Sequence, residues 1–346
     1  MSTTTRNQIP GKYRAVQAIA PGKLELTEKN LIDPPAGFVR IKIEACGVCH
    51  SDSATVEGAF SIDYPRVPGH EVVGTIDKLG DGVEGWSVGD RVGVGFLGGN
   101  CGHCICCRGG DLVNCRNQEY TGVHHDGGYA EVMIAKQTGL ISIPDELLSV
   151  DAAPLLCAGL TTFNALRNAP VKAGDLVAVI GIGGLGHLGV QYARHMGFEV
   201  VAIARGADKE ELARKLGAHH YIDSTATDPA AALQAFGGAK LILATASSGK
   251  TVATTVKGLR ETGQMLVVGV SLEPLDVTDD VLVFGGRTVA GSLTGDSAAG
   301  DMTLKFSVLS GISAMIETMP LDKAPEAYAK MMAGKARFRM VLTMQS

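Results

Sequence analysis

Five apolar residues, Leu176-Val-Ala-Val-Ile180, run straight into Gly181-Ile-Gly183-Gly184-Leu185-Gly186. A short, wholly apolar run suits a strand buried on both faces of a parallel sheet. His187-Leu-Gly-Val-Gln-Tyr-Ala-Arg-His-Met then reads as a helix, and Phe198-Glu-Val-Val-Ala-Ile203 as the next strand. A GxGxxG string alone is weak. Strand, glycine turn, helix and strand within about 30 residues is the context that makes it a dinucleotide fingerprint. The glycines let backbone approach a pyrophosphate, whose charge the start of a helix favours. The competing reading is a glycine-rich turn with no ligand.

The alternation continues. Glu210-Glu-Leu-Ala-Arg-Lys-Leu-Gly217 reads as a helix stopped by its glycine. Tyr221-Ile, Leu241-Ile-Leu-Ala and Met265-Leu-Val-Val-Gly-Val read as strands, with Thr251–Leu259 as a helix between the last two. Such a pattern implies a doubly wound parallel sheet with right-handed crossovers. That sheet is not the whole chain, because 346 residues exceed what one core usually organises. The first third is different in kind. Val39-Arg-Ile-Lys-Ile-Glu-Ala alternates as a half-buried strand does. Val72-Val-Gly-Thr-Ile, Asp90-Arg-Val-Gly-Val and Gly127-Gly-Tyr-Ala-Glu-Val-Met-Ile continue as β structure, divided by turns such as Leu79-Gly-Asp-Gly. From Ala152 through Cys157 to Arg167 the spacing is helical, and this segment is expected to bridge the two regions. The tail, a helix over Ala324–Met332 and a strand over Arg337–Met344, should fold back onto the β region. The expected fold is therefore α/β in two domains, a β-rich one over 1–155 with 293–346 and a dinucleotide-binding one over 156–292.

Four of the eight cysteines carry the second strong signal. Cys101-x2-Cys104-x2-Cys107-x7-Cys115 has the spacing of a closed four-thiolate zinc site. A bacterial ferredoxin run begins the same way but continues with x3-Cys-Pro, which this chain lacks. Cys106 is a spare thiol with no ligand role, and His103 reads as a solvated side chain. Thiols used for ligation rather than for disulfides belong in a reducing compartment. Met1-Ser-Thr-Thr-Thr-Arg-Asn-Gln8 lacks the apolar core of a signal peptide, and no apolar run is long enough to span a bilayer. A cytoplasmic protein is the expectation, with no membrane partner. A net charge of −5 argues against a nucleic-acid surface.

The remaining chemistry gathers around Cys46-Gly-Val-Cys49-His50-Ser51-Asp52, Pro68-Gly69-His70-Glu71 and Cys157. Each thiol alone reads equally as a buried structural cysteine. In order and over essentially the whole length, however, GVCHSD, GHE, the four-cysteine lobe, LLCAGLTTF, GIGGLG and the closing RMVLT resemble the zinc-dependent medium-chain alcohol dehydrogenases. The resemblance implies a GroES-like β-rich catalytic domain beside a Rossmann domain. It implies Cys49, His70 and Cys157 as ligands of a catalytic zinc, a ligand set associated with that family. Asp52 would orient His70, and Glu71 would be an inner carboxylate able to approach the metal. Ser51 would bond the substrate hydroxyl, and His50 would lie near the cofactor pyrophosphate. Gly181, Gly183, Gly184, Leu185 and Gly186 would cradle that pyrophosphate. Thr161, Gly269 and Val270 would flank the nicotinamide, and Arg339 would contact a cofactor phosphate. Phe60 and Phe96 would line the substrate pocket, although core packing accounts for either ring as well.

Two positions depart from the family pattern. A histidine that ends the proton relay in many members is Ala54 here. The acid about 20 residues beyond the glycine motif, which marks NAD binding, is replaced by Ala204, and Arg205 follows. The expected protein thus transfers hydride reversibly between a primary or secondary alcohol and its aldehyde or ketone. It would use two zinc ions per chain, favour NADP(H) over NAD(H), and assemble as a homo-oligomer, a tetramer before a dimer. A polyol or amino-alcohol dehydrogenase on the same scaffold is the rival among enzymes, and a nucleotide-sensing zinc protein without turnover is the rival outside them. The substrate itself is not encoded in these motifs.

Overall fold

The structure, a computed structural model, describes residues 11–60, 62–246, 248–271 and 273–344. The opening Met1–Gln8 stretch lies outside the described residues. Contacts divide the chain into two units, one holding the chain to Cys157 with Asp296–Leu304 and the chain from Met315, the other holding Ala158–Gly295 and Lys305–Ala314.

In the first unit a seven-stranded sheet runs in the order Ile316–Pro320, Arg339–Thr343, Phe38–Val48, Val72–Leu79, Arg91–Val94 and Leu140–Ser142, with Val132–Lys136 paired to Phe38–Val48. Val39, Ile41 and Ile43 alternate inward, as the sequence requires. Arg40 breaks the pattern by being buried, and Asp77 on the neighbouring strand compensates with two 2.8 Å bonds to its guanidinium. The tail strand pairs antiparallel with Phe38–Val48, from Met340 opposite Val48 to Thr343 opposite Ala45, so it does return to the β region. A hairpin, Lys12–Ala20 with Lys23–Asn30, stands as a separate two-stranded sheet. Val16, Ile41, Val72, Ile76, Tyr129, Met340 and Leu342 share one core.

The second unit is a six-stranded parallel sheet ordered His220–Asp223, Glu199–Ala204, Leu176–Ile180, Ala239–Ala244, Leu259–Val267 and Thr288–Gly291. Every residue of Leu176–Ile180 is buried. The strand order reverses beside it, and ligands of such sheets bind at the carboxyl end of the strand at that switch point. The glycine turn occupies that end, and the helix Gly186–His195 starts from it. Gly181 has φ +90°, and a Cβ on Gly186 would stand 1.7 Å from the Gly181 carbonyl oxygen, so both positions require glycine.

Three elements differ from expectation. The β run expected from Gly127 begins at Val132, because Gly127, Gly128 and Tyr129 donate instead to the carbonyls of Val67, Gly69 and Pro68. The strand expected from Met265 starts at Leu259 and carries an irregularity through Thr262, whose φ is +56°. The helical segment around Cys157 is interrupted there: a short turn over Ala153–Leu156 ends at Cys157 with φ −127°, and a new helix runs Ala158–Asn168. Among the described residues no helix is long and apolar enough to cross a membrane.

Candidate active site and metal centres

The strand Phe38–Val48 delivers Cys49 into the core of its unit, and one helical turn, His50–Asp52, follows. That turn points Asp52 back inward. Its Oδ2 accepts the Cys49 N–H at 2.9 Å and the Tyr129 hydroxyl at 2.8 Å. Its Oδ1 stands 2.9 Å from His70 Nδ1. A carboxylate at one imidazole nitrogen orients the other toward a metal, and His70 Nε2 is buried with no hydrogen-bond partner among the described residues. Cys49 Sγ lies 3.9 Å from Cys157 Sγ. One ligand atom from each of Cys49, His70, Glu71 and Cys157 falls within 4.8 Å of the others. Glu71 pairs its Oε1 with the buried guanidinium of Arg339, and its Oε2 has no partner among the described residues. Two sulfurs, an imidazole nitrogen and a carboxylate oxygen, with two of these atoms buried and unpartnered among the described residues, fit a zinc ion.

The electrostatics follow from these contacts. A hydrogen bond from the Cys157 thiol, with His70 and Arg339 nearby, holds Cys49 well below an ordinary thiol in spite of its burial. Burial pushes the Glu71 carboxyl up to about 7, against the pull of Arg339. Burial also opposes charge on His70, but Asp52 and Cys49 outweigh it and hold the imidazole well above its ordinary value.

The four lobe sulfurs also converge within 4.8 Å of one another. Cys104 caps the single-turn helix Ile105–Arg108 and accepts the Cys107 N–H at 3.5 Å. Cys101 accepts the N–H of Cys104 at 3.4 Å, and Cys115 that of Cys101 at 3.4 Å. Backbone donors of this kind favour thiolate. The His103 N–H leads in drawing Cys101 down to about 5, whereas burial pushes Cys107 up to about 12. Cys106 is outside the cluster, and His103 is exposed with its Nδ1 2.8 Å from the Cys101 carbonyl.

His50 and Ser51 are exposed, and Ala54 is buried. The Phe96 ring meets the His70 ring edge-on at 5.1 Å and stacks on Tyr120 at 4.7 Å, a neighbour the sequence did not reveal. Phe60 is 48% exposed. In the second unit Thr161 is buried on the helix Ala158–Asn168, Gly269 donates its N–H to the Ala244 carbonyl at 3.1 Å, and Val270 is 86% exposed. Ala204 closes its strand, and Arg205 is exposed with no hydrogen bond or ion pair among the described residues. An acid does stand by this turn: Asp223, opposite Ala204 on the next strand, accepts the Gly206 N–H at 2.8 Å and the Thr225 N–H at 2.9 Å. Tyr129 leaves only one signal in the sequence, a tyrosine beside two glycines.

A β-rich unit with a buried two-thiol, imidazole and carboxylate cluster, a four-thiol lobe and a doubly wound parallel sheet together define a zinc-binding dehydrogenase. Residues 35–145 match the alcohol dehydrogenase GroES-like domain, and residues 184–307 match the zinc-binding dehydrogenase domain. The chain is 41% identical over 345 residues to the alcohol dehydrogenase patD of Penicillium expansum, covering 99% of this chain and 100% of that protein. It is 38% identical to an alcohol dehydrogenase of Geobacillus stearothermophilus, over 88% of this chain and 92% of that protein. Among solved structures it resembles a cinnamyl alcohol dehydrogenase of Sorghum bicolor, with TM-score 0.88 and 31% identity over 96% of this chain and 97% of that one. It also resembles a CAD from Helicobacter pylori complexed with NADP(H), with TM-score 0.86 and 29% identity over 96% and 98%. The chain belongs to the zinc-dependent medium-chain alcohol dehydrogenase family, and it is an oxidoreductase.

Proposed function

We propose that this chain interconverts a primary or secondary alcohol with its aldehyde or ketone, holds two zinc ions, and favours NADP(H) over NAD(H). The observation that carries the reading is the convergence of Cys49, His70 and Cys157, with His70 Nε2 unpartnered among the described residues in a buried site. Cys49, Cys157 and His70 would hold the catalytic zinc, with Glu71 able to approach, and Cys101, Cys104, Cys107 and Cys115 the structural one. Zinc bound at the first site supplies a Lewis acid. Asp52 fixes the His70 ring. Ser51 takes the proton of the substrate hydroxyl. Its exposure supports direct release to water, since Ala54 offers no further acceptor. Gly181, Gly183, Gly184, Leu185 and Gly186 would receive the pyrophosphate, with the exposed His50 on the phosphates; Arg339, buried and paired with Glu71, would reach a phosphate only by leaving that partner. Thr161, Gly269 and Val270 would flank the nicotinamide, whose role is to carry the hydride. Phe96, packed on His70, and Phe60 would line the substrate pocket.

The cofactor preference is supported by Ala204, which offers no carboxylate to a ribose 2′-hydroxyl, and by the exposed, uncommitted Arg205, whose planar guanidinium suits a 2′-phosphate. Eight cysteines, all free of disulfides and six of them gathered in the two clusters, support a cytoplasmic setting, and by resemblance the assembly is a homotetramer. The test is zinc analysis beside turnover. Two zinc ions per chain are expected, with Cys49→Ala losing one ion and all turnover. Fully active protein with one zinc per chain would refute the assignment.

A further inference from the structure

We propose that Tyr129 is a positioning residue for the catalytic metal centre, acting through Asp52 on His70. The inference rests on the reading of Cys49, His70 and Cys157 as zinc ligands. Tyr129 is wholly buried and touches both halves of the site's support. Its hydroxyl donates to Asp52 Oδ2 at 2.8 Å, the same oxygen that accepts the Cys49 N–H, while Asp52 Oδ1 faces His70 Nδ1. Its backbone N–H donates to the Pro68 carbonyl at 3.0 Å, and Gly128 donates to the Gly69 carbonyl at 2.9 Å. The segment therefore lies along the loop that leads into His70. The ring fills the space beside that loop. A Cβ on Gly69, whose φ is +100°, would stand 2.5 Å from Tyr129 Cδ1 and 2.9 Å from Cys46 Sγ. Nothing larger than glycine fits beside that ring at position 69, the residue before the ligand.

The consequence is electronic as well as steric. The tyrosine hydroxyl, held well above its ordinary value by burial and by Asp52, stays a donor at every working pH. It draws charge from the carboxylate, which then pulls less on the His70 Nδ1 proton. Without it, Asp52 would pull harder and also turn more freely. His70 would become a stronger donor to zinc but a less well-aimed one, and the metal a weaker acid toward the alcohol. Partners that bond a metal-ligating residue directly typically change affinity or activity by about 10–100-fold, and Tyr129, one bond further out, belongs at the low end.

Tyr129→Phe keeps the ring and removes only the hydroxyl. Competition with a chromophoric chelator should show zinc at the Cys49 site bound about tenfold more weakly, the low end of that range, with the four-thiolate zinc unchanged. The acid limb of kcat against pH should move to higher pH. In an Asp52→Asn background the same change should do nothing further, which a merely structural tyrosine would not reproduce. Should Tyr129→Phe fail to fold, fluorotyrosine at position 129 keeps ring and hydroxyl and should move the acid limb to lower pH. Unchanged zinc affinity and acid limb, an undiminished effect in the Asp52→Asn background, or no shift with fluorotyrosine would overturn the inference. Wild-type protein holding one zinc per chain would instead refute the ligand assignment beneath it.

Discussion

Alanine at Gly186 would test the dinucleotide turn most severely. The added methyl stands 1.7 Å from the Gly181 carbonyl oxygen and 2.8 Å from its carbon. Carbon and carbonyl oxygen approach no closer than about 3.3 Å, so the turn and the helix start must part by roughly 1.6 Å. Both partners are backbone, and neither has a rotamer that relieves the clash. Overpacking of this kind costs about 1–3 kcal/mol. The better helix propensity of alanine returns at most about 1 kcal/mol, so the clash wins. If roughly 2 kcal/mol of strain is relieved by opening the turn, dinucleotide affinity falls roughly thirtyfold. Gly183→Ala is the matched control. A Cβ there meets nothing within 4 Å among the described residues, and its φ is not left-handed, so stability should hold. A pyrophosphate crossing that backbone would nonetheless meet the methyl. Fluorescence titration with NADPH and thermal denaturation of both variants separate the two effects. Gly186→Ala should lose midpoint and affinity together, and Gly183→Ala affinity alone. Wild-type affinity in Gly183→Ala would mean that no dinucleotide crosses this turn.

Four further outcomes are expected. Ser51→Ala should slow turnover by about 10²–10⁴, the usual size of a proton-transfer contribution, with little change in cofactor binding; wild-type turnover would remove Ser51 from the relay. Cys104→Ala should lower the thermal midpoint, in contrast to the loss of turnover with an intact fold in Cys49→Ala, and circular dichroism with metal analysis tells the two apart. After chelation, Cys101, drawn down to about 5, should be alkylated well before Cys107, pushed up to about 12, as pH is raised from the acid side; mass spectrometry of the labelled peptides reads the order. Ala204→Asp with Arg205→Gly should shift the ratio of kcat/KM for NADP against NAD by roughly tenfold to a hundredfold, from a charge-assisted bond of about 1.5–3 kcal/mol, and an unmoved ratio would refute the role of Arg205.

What the sequence made legible follows the range of the interactions concerned. Leu176–Ile180 could be placed because burial on both faces leaves a wholly apolar run, and its glycine turn because Gly181 answers to its own left-handed φ and Gly186 to the Gly181 carbonyl five residues back. The four-cysteine lobe is equally local, its spacing being its geometry. Cys49, His70 and Cys157 come from three distant stretches, so they formed a set only through the family resemblance. The Tyr129–Asp52 bond and the Phe96–Tyr120 stack join residues far apart in the chain or outside regular strands, and neither leaves a periodicity to find. Arg260-Glu-Thr-Gly hid the start of the strand Leu259–Val267, since polar residues and a left-handed Thr262 imitate a turn. Asp223 escaped notice because it stands on the strand next to the one that ends at Ala204.

The most direct test is a steady-state screen of zinc-replete protein. Primary and secondary alcohols, aldehydes and ketones would each be offered with NADP(H) and with NAD(H), before and after chelation. The account predicts hydride transfer that depends on substrate, is faster with NADP(H), disappears on chelation and returns with added zinc. Tight nucleotide binding with no turnover of any alcohol or carbonyl would contradict it and favour a zinc-bound nucleotide sensor.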